Sequence, residues 1–135
     1  MRGDDVVGAK LHPTDGLRLA KAEAKSRIKV TKTVVKEARD SLERVAGLPS
    51  PHSLTQFAER LLDADENQIG EAVLRLQLFD GVRPKVVTHL MFLFTMSDHS
   101  THVANDLNAY TGGIEQLTLT LRVGAYQAFI RGTDA

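Results

Sequence analysis

Apolar positions along the chain recur mostly at three- and four-residue intervals, the spacing of a helix that buries one face. From Leu17 the stripe Ala24, Ile28, Val35, Ala38, Leu42 and Val45 keeps that interval, with Lys21 and Thr31 as polar exceptions, and predicts one long first helix capped at Thr14 or Asp15. Gly47, suited to a left-handed C-cap, ends it, together with Pro49 and Pro51, which cannot continue a hydrogen-bond ladder. Ser53 followed by Gln56 has capping-box spacing and opens a second helix with the apolar face Leu54, Phe57, Ala58, Leu61 and Leu62. A further stripe at Ile69, Val73, Leu76 and Phe79 follows a polar stretch, which implies a break near Asp65. Pro84 suits the first position of a third helix, and Val86, Val87, Leu90, Met91, Phe92, Leu93, Phe94 and Met96 surround it with apolar side chains. Such a helix must be covered all round, so it is placed at the centre. Val103, Ala104 and Leu107 carry on the contacts until Gly112-Gly113 stops the chain, with Ser97 or Asp98 able to cap a separate piece.

Residues 116–123 admit two readings. Leu117, Leu119, Leu121 and Val123 alternate with polar residues, the period of a half-buried strand. Helical spacing also generates two stripes, Ile114, Leu117, Leu121, Ala125, Ala128 and Leu119, Val123, Tyr126, Ile130, which persist past Gly124 where the alternation fails. The helix is preferred on that ground. The expected fold is all-α: an antiparallel bundle of about four helices with a long first helix, residues 1–13 a flexible lead-in and 14–135 a single helical domain.

A chain of 135 residues, 42% hydrophobic and 25% charged, suits one globular domain. It contains no cysteine, which excludes disulfides, thiolate metal sites and a cysteine nucleophile and fits a reducing compartment. Asp4 and Asp5 interrupt the start before any signal-peptide core can form, and the apolar run Leu90 to Met96 is far shorter than the roughly 20 residues of a membrane-spanning helix. A cytoplasmic location with no membrane partner and no cofactor is expected.

The net charge of zero is unevenly spread. Lys10 to Lys36 carries eight basic residues against Asp15 and Glu23, while Ser53 to Asp80 carries six acids against Arg60 and Arg75. Arg18, Lys21, Lys25, Arg27, Lys29, Lys32 and Lys36 therefore form a candidate nucleic-acid surface on the first helix, since cations there can neutralise phosphates without sequence choice. His99, His102 and Asp106, beside Asp98, share a helix face and are candidate zinc or iron ligands, although no Glu-x-x-His set on another helix completes such a site. No nucleophile elbow surrounds Ser41, Ser53, Ser97 or Ser100, and no P-loop or dinucleotide fingerprint surrounds Gly112-Gly113. His12 and His52 sit beside prolines in loops and receive no role, whereas His89 lies among apolar neighbours, where a neutral, hydrogen-bonded core histidine is expected. Tyr110 and Tyr126 are expected to be packing residues with a polar tip.

A terminal helix with two apolar stripes needs cover on two sides, so Leu119, Val123, Tyr126 and Ile130 are expected to form a homo-oligomer interface. The leading function expected from sequence is thus a non-enzymatic interaction protein, an adaptor, regulator or structural subunit, whose partners are itself and another protein. The alternatives are a small nucleic-acid-binding protein using the basic first helix and a metal-binding helical protein.

Overall fold

The segment read as the start of a long helix is instead paired edge to edge with other backbone. In the computed structural model, which describes residues 6–14, 16–96 and 100–122, strand β1 (Val6–His12) turns back into β2 (Gly16–Ser26), with His12 opposite Gly16. Gly16 has φ of 76°, the left-handed conformation that lets so short a hairpin close. Residues 6–12, part of the expected lead-in, are thus an edge strand.

From β2 the chain enters α1 (Lys32–Glu43), then α2 (Pro51–Asp63) and α3 (Asn67–Arg75), and returns as β3 (Val87–Thr95); α4 (Ser100–Ala109) then leads to β4 (Glu115–Arg122). The sheet order is β1-β2-β3-β4, with β1 antiparallel to β2 while β2, β3 and β4 run parallel. Parallel neighbours need long crossovers, and the helices supply them. The fold is therefore α/β, a four-stranded mixed sheet with helices, and not the all-α antiparallel bundle expected from the stripes.

Three corrections follow. Residues 17–26 of the expected first helix are strand β2, and only 32–43 are helical. The expected central third helix is β3, whose alternating buried and half-buried residues show apolar side chains on both faces of a central strand, a pattern that looks the same as a covered helix when only composition is read. Over residues 116–122 the preferred helix is instead β4, so the alternation of Leu117, Leu119 and Leu121 was the informative signal, while Val123 lies outside the described residues. The helical pair around Asp65 is present as α2 and α3, and Asp65 itself takes φ of 61° between them. Ser50, rather than Ser53, caps α2: its hydroxyl accepts from the Ser53 amide, and Pro51 fills the first turn.

Residues Leu19, Val87, Met91 and Leu93 lie on one face of the sheet and are at most 1% exposed. Leu54, Ala58 and Val73 of α2 and α3 cover one end of it, and Val30, Val35, Ala38 and Leu42 cover the other. The opposite face is open among the described residues, where Leu117, Leu119 and Leu121 remain 48%, 50% and 51% exposed. No helix among the described residues is long and apolar enough to cross a membrane.

Candidate functional site

Because β2, β3 and β4 run parallel, their carboxyl ends lie along one edge, and that edge of an open α/β sheet is where loops and helix starts leave room for a ligand. Backbone bonds knit the edge together. The Arg27 amide donates to Phe94 O at 3.0 Å, the Met96 amide to Ile28 O at 3.2 Å, and the Thr95 hydroxyl to Ile28 O at 2.9 Å. The Arg122 Nε donates to Met96 O at 3.1 Å, which brings the end of β4 to the same place. Arg27 and Lys29, both exposed, leave β2 here, and Lys32 opens α1. Their cations and the N-terminus of α1 give the edge a positive potential suited to phosphate.

On the helix-covered face of β2, just inside this edge, Glu23 and Lys25 stand side by side. Residues two apart on a strand point the same way, and the Lys25 ammonium lies 3.8 Å from the Glu23 carboxylate, with side chains 20% and 26% exposed respectively. In register with them across the sheet come Met91 and Thr118, then Leu93 and Thr120. The Thr118 hydroxyl is buried with no hydrogen-bond partner among the described residues. A carboxylate and an ammonium held three-quarters out of water, beside a cationic rim, form a constellation able to bind a cation, move a proton or stabilise an anion.

Beneath α1 a chain of hydrogen bonds links Asp106, Arg39, Gln116, His89 and Gly47. Arg39, 7% exposed, grips Asp106 of α4 with Nε at 3.1 Å from one carboxylate oxygen and Nη2 at 2.8 Å from the other, and its Nη1 donates to Gln116 Oε1. The Gln116 amide in turn donates to His89 Nδ1 at 2.8 Å, and His89 Nε2 donates to Gly47 O at 2.7 Å. These partners assign a neutral imidazole protonated on Nε2. Burial pushes the His89 pKa below 6.5, and the nearby Arg39 and Lys21 charges act in the same direction. Tyr110 lies under the Arg39 guanidinium, 5.3 Å from ring centroid to Cζ, and its hydroxyl accepts from the Ile114 amide.

The predicted site residues scatter accordingly. Lys21 is 2% exposed and donates to the carbonyls of Arg44 and Leu48 at 2.7 and 3.1 Å, so it serves the core rather than a nucleic acid. Arg18 lies on the other face of β2, bonded to Lys85 O and Thr88 and near Glu115. Lys36 pairs with Asp40 one turn along, and Lys25 pairs with Glu23. The expected basic helix is thus broken up, while Arg27, Lys29 and Lys32 stay together at the loop between β2 and α1. His102 and Asp106 are both on α4, with Asp106 engaged by Arg39; His99 lies outside the described residues, among which no three His, Asp or Glu side chains gather to hold a metal. Leu119 is on the open sheet face, and Val123, Tyr126 and Ile130 lie outside the described residues.

Glu23 was missed because the segment was read as helical, where residues two apart diverge. The alternation Leu17, Leu19, Lys21, Glu23 against Arg18, Ala20, Ala22, Ala24 was the available signal. No curated protein matches the chain. The HamA family model matches residues 1–134, essentially the whole sequence, and the chain belongs to the HamA family.

Proposed function

We propose that this chain is a nucleic-acid-binding domain that hydrolyses phosphodiester bonds at the carboxyl edge of its sheet, with Glu23 and Lys25 carrying the chemistry. The observation that carries the reading is the Glu23–Lys25 pair, mostly withdrawn from water beneath a rim of Arg27, Lys29, Lys32 and Arg122. An ion pair so placed costs desolvation and contributes little stability, so a role in chemistry is the better reason for it. The rim cations hold the backbone by neutralising phosphates. Glu23 offers an oxygen to a divalent cation such as magnesium, which commonly uses one or two carboxylates together with the substrate phosphate itself. Lys25 stabilises the negative charge that grows on the phosphoryl oxygens. Water adds to phosphorus as the bond to the leaving oxygen breaks, and that oxygen takes up a proton. This reading departs from the non-enzymatic expectation, which had no catalytic pair to weigh. With no cysteine in the chain, the cytoplasm is the compartment we assign.

The binding half is tested by a mobility-shift titration of labelled oligonucleotides at two salt concentrations. The wild-type protein is expected to shift them at low salt and lose them at high salt, and Arg27→Glu/Lys29→Glu to lose at least tenfold in affinity. No shift at low salt, or an unaffected double variant, counts against the edge as the contact surface.

A second reading, self-association, is favoured by the open sheet face. Leu117, Leu119 and Leu121 form a half-exposed apolar row beside the half-buried Leu90, Phe92 and Phe94, and such rows commonly meet a partner.

A further inference from the structure

Between α1 and α4 runs a groove of about 490 Å³, within the size range of small-molecule sites, roughly 300–1,000 Å³. Its floor is Val35, 2% exposed, together with the Arg39–Asp106 pair, and its walls include Ala109 and the stems of Lys32 and Lys36. Besides the Arg39–Asp106 pair, its polar side chains are Thr101, His102 and Asn105 of α4 and the two lysines. Asp106 brings no net charge, because Arg39 occupies both carboxylate oxygens, and Lys36 is balanced by Asp40. Lys32, at the first turn of α1, has no acidic partner among the described residues. The groove therefore combines a small apolar bed with one uncompensated cation at the end where α1 and α4 both begin, so that two helix N-termini add to the same positive potential.

We propose that this groove binds one nucleotide unit, its base on the apolar bed and its phosphate beside Lys32. A bare phosphate would leave Val35 and Ala109 unused, and an uncharged apolar ligand would leave Lys32 and His102 facing it without a partner. Asn105 also lines the groove, and a carboxamide can exchange two hydrogen bonds with the edge of an adenine. The unit can be a free nucleotide or one nucleotide of a bound strand. The second source rests on the function proposed above, and the first does not.

Calorimetric titration of the whole chain with adenosine 5′-monophosphate, with inorganic phosphate, and with a 5′-phosphorylated hexanucleotide tests this. The variants are Asn105→Ala and Ala109→Trp, the latter filling the groove from an exposed position in the last turn of α4, with circular dichroism to verify the fold. Expected is saturable binding of the monophosphate, at least tenfold tighter than phosphate, and at least a tenfold loss in both variants. If the monophosphate fails to bind but the hexanucleotide loses tenfold with Ala109→Trp, the groove serves a nucleotide within a strand. If Ala109→Trp leaves every titration unchanged, or nothing binds, the groove is not a nucleotide site. Arg27→Glu/Lys29→Glu should weaken the hexanucleotide and spare the monophosphate. Groove variants that act where this pair does not would retain the groove and discard the edge.

Discussion

Replacing Arg39 by methionine probes the interaction that fastens α4 and β4 to α1. Arg39 and Asp106 have side chains only 8% and 12% exposed, so removing the guanidinium leaves a carboxylate with little access to water and without its counter-charge. Breaking a buried pair from one side costs roughly 3–5 kcal/mol, and the loss of the donor to Gln116 lies within that figure. Domains of ordinary stability have about 5–15 kcal/mol in total, so Arg39→Met should lose a large share of it. Urea unfolding followed by far-ultraviolet circular dichroism would show the midpoint falling by on the order of 2 M, given slopes of about 1–3 kcal/mol per molar. The double variant Arg39→Met/Asp106→Leu removes both charges and should recover much of the loss. Should Arg39→Met cost under about 1 kcal/mol, or the two losses simply add, the pair is not the fastening described.

Other outcomes follow from the same core. His89 has its pKa lowered below 6.5 by burial, so the unfolded chain takes up the proton first as pH falls. Its contribution to stability is present above 6.5 and is lost as pH drops below it; unfolding at pH 7.5 and 5.5 should show this slope in the wild type and a flatter one in His89→Gln. Gly47→Ala forces an L residue to φ of 80° with its Cβ 2.6 Å from Ile114 Cδ1, and should destabilise by at least about 1 kcal/mol; an unchanged melting curve would contradict the close approach drawn here. If the open face mediates self-association, Leu119→Asp/Leu121→Asp should lower the mass measured by light scattering, and an identical mass would remove that face from consideration.

The helical stretch between Pro51 and Arg75 was legible because its stripes and breakers are local, although its cap was placed at Ser53 and lies at Ser50. The strands were hidden for different reasons. β2 is rich in alanine and lysine, good helix formers, and its one buried lysine looked like a polar interruption because the carbonyls of Arg44 and Leu48 that satisfy it are distant in sequence. β3 is apolar on both faces, and only its pairing with β2 and β4 makes it a strand. The candidate site inherited the error: Lys25 was singled out as a phosphate contact, yet its neighbour Glu23 becomes its partner only on an extended backbone. Asp106 was noticed for its place on a helix face, while its partner Arg39, 67 residues away, was not.

The central claim is that Glu23 and Lys25 break phosphodiester bonds, and the most direct measurement is cleavage of end-labelled oligonucleotides with magnesium present, resolved on denaturing gels. The wild-type chain should produce shortened products that vanish when the metal is chelated. Glu23→Gln and Lys25→Met should each reduce the rate at least a hundredfold, the size expected when a group stabilising transition-state charge is lost, while still binding the oligonucleotides. Intact substrate with the wild-type protein, or cleavage that persists in both variants, would contradict the account.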